Sequence, residues 1–208
     1  MGHKYAEIAF TDTVKSVQQA MGSRSAYARR EGGPDVNDRL GPSEAAFITE
    51  RDGFYLASVS ETGWPYVQFR GGPTGFLRVL DEHTLGYADF RGNRQYVTTG
   101  NLAANDRVSL FLMDYAHQRR LKMFGRMRVT EMRADPALAA KLGVAGYPAR
   151  VERAVLVTVE GFDWNCPQHI TRRLTQAELA EVLAPVRQEM DAPSRLPTDT
   201  PCKPTLSY

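Results

Sequence analysis

Cysteine is scarce in this chain: Cys166 and Cys202 are the only two in 208 residues. A disulfide framework needs several pairs, so the fold must rest on its apolar core, and two thiols suit a reducing compartment. Long apolar runs are missing too. No stretch approaches the roughly 20 consecutive apolar residues that carry a helix across a bilayer, and Met1 to Phe10 lacks the basic-then-apolar order of a secretory signal. The expectation is a cytoplasmic protein that does not engage membranes. Charge of one sign is also lacking: 26 Lys and Arg oppose 24 Asp and Glu, a net +2, without the basic excess expected of a nucleic-acid binder. Several catalytic signatures are absent as well, namely the Walker loop, the G-x-S-x-G elbow and H-E-x-x-H. Cys166 and His169 have no second pair at ligand spacing, which argues against zinc.

What is present reads as strands. Gly53 to Ser60 is aromatic and aliphatic and breaks at Glu61-Thr62-Gly63, a hairpin signal. Pro65 to Arg70 alternates, with Val67 and Phe69 opposing Tyr66, Gln68 and Arg70. Phe76 to Leu80 and Thr84 to Asp89 predict a second hairpin around Asp81-Glu82-His83. Val108 to Met113 is apolar on both faces, Leu121 to Thr130 alternates apolar with basic, and Ala154 to Glu160 predicts a further strand.

Helices are fewer and short. Val14, Val17 and Met21 share one face of a first helix ended by Gly22, and Pro42-Ser43-Glu44 starts a second with Ala46 and Phe47 turned inward. The polar stretch Ser23 to Gly41 predicts an extended connection. Asn93 stands where a cap would precede a helix reaching Asn105, and Ala137 to Leu142 suggests another. Thr175-Gln176-Ala177-Glu178 is a capping box opening a last helix that Pro185 must kink or split, and four prolines mark an irregular tail. With hairpins dominating and crossover helices missing, the expected class is mainly β (α+β). The architecture is a six- to seven-stranded antiparallel barrel, closed or nearly so, with short flanking helices. We expect one domain over residues 1–208, its barrel at about 46–173.

Four constellations could carry chemistry. In Asp89-Phe90-Arg91-Gly92-Asn93-Arg94-Gln95 a strand ends, a glycine allows a tight turn and a helix begins, the geometry that binds phosphate. Arg91 and Arg94 could add charge-assisted bonds, and Gln95 can donate and accept. A helix start with solvated arginines accounts for the same spacing. The polar face Tyr66, Gln68, Arg70 leads into Gly71-Gly72-Pro73, which lets a ligand approach the backbone, or simply makes a loose surface turn. The strand face Arg120, Lys122, Arg126, Arg128 is a basic row of the kind that is mostly solvated. Finally, Trp164 offers a stacking face beside Asn165, Gln168 and His169.

Taken in order, these segments resemble the pyridoxamine 5'-phosphate oxidase-like family of FMN-binding split barrels, and within it the predicted flavin-nucleotide-binding branch. The carrying residues run from Tyr66-Val67-Gln68-Phe69-Arg70-Gly71-Gly72-Pro73 through Ala88 to Tyr96, Asn101-Leu102 and Asn105 to Val108. They continue through the basic strand and Trp164-Asn165-Cys166-Pro167-Gln168-His169-Ile170. The resemblance implies a homodimer with FMN at the subunit interface. Its phosphate would meet Arg70, Arg91, Arg94 and Gln95, with Gln68, Gly71, Asp89, Phe90 and Asn93 completing that side. Arg120 stands where family members often carry a glutamine, and the segment bearing Trp164, Asn165 and Gln168 would cover the flavin ring from the partner subunit. The implied activity is an FMN-dependent oxidoreductase of unknown small-molecule substrate, with NADH or NADPH as candidate reductant. No catalytic acid or base stands out. The proline-rich tail replaces the arginine- and histidine-bearing end of true oxidases, so vitamin B6 oxidation is not expected. A non-catalytic flavin-binding or sensing protein remains open, as do FAD or F420 in place of FMN, and haem with His117 and His169 as ligands.

Overall fold

The structure, a computed structural model, describes residues 3–32, 36–164 and 167–191. The chain divides into two compact units, residues 1–171 and 172–208.

The first unit is built on seven strands: β1 (Gly53–Val59), β2 (Pro65–Gly71), β3 (Arg78–Asp81), β4 (Thr84–Phe90), β5 (Arg107–Asp114), β6 (Arg119–Thr130) and β7 (Val151–Trp164). They form one antiparallel sheet in the order β2-β1-β5-β6-β7-β4-β3. The sheet is not closed: β2 and β3 are its edges and do not pair with each other. Of the two expected forms, closed or nearly closed, the sheet takes the open one. A side-chain bond crosses the opening instead: Arg70 on edge strand β2 donates to Asp89 on β4, the neighbour of the other edge strand, at 3.0 Å. The architecture is the split barrel.

Alternation decides what the sheet encloses. Phe54 and Leu56 on β1, Leu110 and Leu112 on β5, Leu121 and Met123 on β6 and Tyr87 on β4 are all essentially buried in one core. Strand β5 buries alternate residues rather than both faces; Ser109, Phe111 and Met113 on its other side are only half-buried. Strand β7 is longer than the pattern suggests and carries Trp164 at its end. On β2, Val67 and Phe69 are exposed while Tyr66, Gln68 and Arg70 turn inward, the reverse of a usual half-buried strand.

The helices of this unit are α1 (Lys4–Ala9), α2 (Asp12–Ala20), α3 (Arg24–Glu31), α4 (Pro42–Thr49), α5 (Val97–Ala104) and α6 (Pro136–Leu142); α1, α4, α5 and α6 pack on strands, while α2 and α3 pack on each other. Helix α1 lays Tyr5 flat on Phe124, ring centroids 4.7 Å apart. Helix α4 buries Phe47 and Ile48, while Ala46 is exposed, so the inward face is one residue removed from the expected one. Residues 24–31 form α3 rather than an extended connection. The Arg24 and Glu31 side chains pair across two turns, and Phe10 meets Tyr27 edge-on, contacts that override the polar composition. Helix α5 starts three residues later than a cap at Asn93 predicts, because Arg94 and Tyr96 take left-handed backbone angles (φ 62° and 54°) that delay the helix.

The second unit contains α7 (Gln176–Asp191). Its capping box forms as expected: the Thr175 amide donates to Glu178 at 2.7 Å and the Glu178 amide donates back to Thr175 Oγ1 at 3.2 Å. Pro185 lies inside one continuous helix, which it does not split. The proline-rich tail, Asn165, Cys166 and Cys202 lie outside the described residues. Among the described residues no helix is long and apolar enough to cross a membrane.

Candidate functional site

Six of the expected residues meet in one open cleft: Gln68, Arg70, Asp89, Phe90, Asn93 and Arg94. Two inward positions of β2 supply Gln68 and Arg70, the end of β4 supplies Asp89 and Phe90, and the following turn supplies the rest. Asn93 does not cap a helix; its Oδ1 accepts from the Gln95 amide at 3.2 Å, an Asx-type turn that shapes the loop.

The wall opposite was not legible in the sequence. It consists of Glu152 and Arg153 on β7, Tyr96, and the first turn of α5 at Val97, Thr98 and Thr99. Pairing between β4 and β7 steps from Asp89↔Arg153 to Phe90↔Val151, which leaves Glu152 as the extra residue of a β-bulge. Neighbours on a regular strand point to opposite faces; the bulge brings both Glu152 and Arg153 to the cleft. Only knowledge of that register could have found them.

Electrostatics there is dense. Asp89 is buried and held from two sides, by Arg70 at 3.0 Å and by Arg153 Nε at 2.9 Å. Glu152 faces Arg91 at 3.5 Å and Arg153 at 3.4 Å, and accepts from the Tyr96 hydroxyl at 3.1 Å. Arg153 also lies 4.8 Å above the Tyr96 ring. Arg94 donates to the Tyr96 hydroxyl, a bond that raises its already high pKa and keeps it cationic. Four guanidinium groups thus surround two carboxylates, and cations prevail. Two buried donors beside this network, Arg70 Nε and the Tyr87 hydroxyl, have no hydrogen-bond partner among the described residues. Burial drives the Tyr87 pKa far upward, with Asp89 adding to the shift and Arg70 and Arg153 opposing it, so the group stays a neutral donor. The amides of the first turn of α5 add partial positive charge at the same wall. The cationic surface of the cleft and the amides of this turn suit a phosphate ester.

The remaining expected residues fall elsewhere. Arg91 is exposed and reaches the cleft only through Glu152; Gly71 and Gln95 do not line it. Arg120 and Trp164 line a separate, open cleft of about 550 Å³ with Glu44, His117 and Arg119. Gln168 is exposed and lines neither, and Asn165 is not among the described residues. His117 has its Nδ1 within 3.0 Å of both Asp114 carboxylate oxygens, and His169 is exposed with φ 64°.

Residues 40–161 match the family described as pyridoxamine 5'-phosphate oxidase. The chain belongs to the pyridoxamine 5'-phosphate oxidase-like family. Among curated proteins no sequence matches. Solved structures with similar backbones include a putative pyridoxamine 5'-phosphate oxidase from Lactobacillus delbrueckii, 20% identical, TM-score 0.46, covering 61% of this chain and 94% of that one. An FMN-binding protein from Syntrophomonas wolfei is 10% identical, TM-score 0.45, covering 74% and 97%. The haem storage protein HutZ from Vibrio cholerae is 17% identical, TM-score 0.38, covering 60% and 94%. At such scores membership of the family rests on the sequence match.

Proposed function

We propose that this family member binds FMN as a homodimer and works as an FMN-dependent oxidoreductase on a small-molecule substrate. The observation that carries the reading is the cationic cleft at the start of α5, where Arg70, Arg94 and Arg153 gather beside free helix amides. In this reading Arg94 and the α5 amides hold the phosphate, while Gln68 and Asn93 serve the ribityl chain. Arg91 joins them by exchanging Glu152 for phosphate, a stronger acceptor with more oxygens. Asp89 is a positioning residue that keeps Arg70 on β2 and Arg153 on β7 aimed at the cleft.

The cleft offers only about 40 Å³ to water-sized groups, far less than a whole-ligand site. It takes the polar tail of the cofactor and leaves the flavin ring to be covered by another surface. Trp164 and Arg120 lie in a different cleft of the same chain, as expected if the partner subunit supplies them. The exposed apolar residues Val67 and Phe69 on β2, next to Tyr55 on β1, form the face on which a second copy would pack. When bound, the flavin supplies hydride or electron transfer, with NADH or NADPH as reductant; the chain's own residues bind, orient and exclude water.

The test is the absorption spectrum of the purified protein with mass analysis of any released cofactor. A yellow protein releasing FMN, whose colour bleaches on addition of NADPH or NADH, supports the reading. A protein that stays colourless after FMN addition, or releases haem, contradicts it. Bound FMN without turnover would make this a flavin-binding protein and remove the oxidoreductase part.

A further inference from the structure

Helix α5 brings its first-turn amides to the cationic cleft, but its sequence alone does not hold it there. It is eight residues long, contains Gly100 and the β-branched Val97, Thr98 and Thr99, and starts after Tyr96 without a side-chain cap. Helices this short are marginal in isolation, so what fixes α5 must come from the sheet. Two of its residues, Thr98 and Asn101, are polar yet buried, and they lie one turn apart on the same face.

Each of them makes a directional bond to a different strand. Asn101 Nδ2 donates to Ser58 Oγ on β1 at 2.9 Å, and Ser58 is itself buried. Ser58 follows Phe54 and Leu56 on the inward face of β1, so a hydroxyl stands where the alternation calls for an apolar side chain. The Thr98 hydroxyl donates to Gln68 Oε1 on β2 at 3.3 Å. That bond occupies the oxygen end of the Gln68 amide and leaves Nε2, with its two hydrogens, as the end for the cleft. Apolar contacts tolerate sliding and rotation. A buried hydrogen bond does not, because leaving either partner unpaired is costly.

We infer that Ser58, Thr98 and Asn101 are positioning residues for this cleft. The Ser58–Asn101 bond sets the rise and rotation of α5, so that the amides of Val97, Thr98 and Thr99 serve the same anion as Arg94. The Thr98–Gln68 bond makes Gln68 a donor towards the ligand. None of the three carries a charge; they act through α5 and through Gln68. The inference rests on the reading of the cleft as the place of the FMN phosphate and ribityl chain.

Equilibrium titrations of FMN and riboflavin into the full chain test it, with thermal unfolding measured for each variant. Ser58→Ala combined with Asn101→Leu replaces the buried pair by apolar groups of similar shape, which keeps α5 packed while removing the directional bond. The wild type should prefer FMN by roughly tenfold or more, and the double variant should retain about threefold or less at a near-unchanged melting temperature. Thr98→Val should weaken both flavins alike, by about fivefold, and Thr98→Ser, which keeps the hydroxyl, should restore the affinity. A folded double variant that keeps the full preference overturns the inference and leaves the phosphate reading standing. So does Thr98→Val binding both flavins as tightly as the wild type. A wild type without preference for FMN overturns the phosphate reading and this inference together. Should the double variant unfold, the two Thr98 variants decide.

Discussion

Asp89 accepts from two guanidinium groups while almost entirely buried, so its removal strands two cations at the seam of the barrel. Breaking a buried pair from one side costs about 3–5 kcal/mol. Asp89→Ala should lower urea-unfolding stability by that order, and a change below about 0.5 kcal/mol would show that the seam does not rest on it. Asp114 works differently. Burial pushes its carboxyl up, but hydrogen bonds from the His117 backbone and ring, together with the Arg51 charge, outweigh burial and hold it below the ordinary aspartate value. A lowered folded pKa gives stability that is fully present above the unfolded value of about 3.9 and is lost as pH falls through the lower folded one. The stability gap between wild type and Asp114→Asn should therefore narrow as pH drops below about 4, and a gap constant to pH 2.5 would refute the assignment. Arg70, Asp89 and Arg94 could be singled out from the sequence because a strand end and the glycine turn after it are local signals. Glu152 and Arg153 could not, because a bulge 60 residues downstream aims them and no local pattern encodes register.

At the scale of elements, strand–strand contacts are tight where glycine permits them. Gly125 sits at the bulge between β6 and β7, and a Cβ there would lie 2.5 Å from the Thr158 carbonyl oxygen, which is main chain and cannot step aside. Gly125→Ala should cost about 1–3 kcal/mol or more. Gly100 makes the contrasting case: it lies mid-helix in α5 with open space around its Cα. Gly100→Ala should stabilise by about 0.4–1 kcal/mol through the unfolded chain. Equal effects in thermal denaturation would contradict the packing described. Strand positions were readable because period-two alternation and hairpin turns are short-range. Helix α3 was not, since the Arg24–Glu31 pair and the Phe10–Tyr27 contact supply what its polar sequence lacks. The start of α5 was misplaced for a related reason: the left-handed angles at Arg94 and Tyr96 belong to a loop shaped by its neighbours.

For the whole molecule, the inverted strand β2 links assembly to function. It turns polar side chains into the split and apolar ones outward, so one strand serves both the cleft and the face on which the proposed dimer packs. Val67→Glu should leave the fold intact, yield a monomer in sedimentation velocity and weaken FMN together with the dimer; a dimer that persists would place the interface elsewhere. The hairpin count pointed to the barrel, whereas its openness depends on how far β2 and β3 fall short of pairing, which no local pattern records. The most direct test of the central claim compares FMN with riboflavin, which lacks the phosphate, in equilibrium titrations of the wild type and Arg94→Ala. The account predicts that the wild type prefers FMN by roughly tenfold or more and that Arg94→Ala removes most of that preference. Equal affinity of the wild type for both flavins, or a preference untouched by Arg94→Ala, would contradict it.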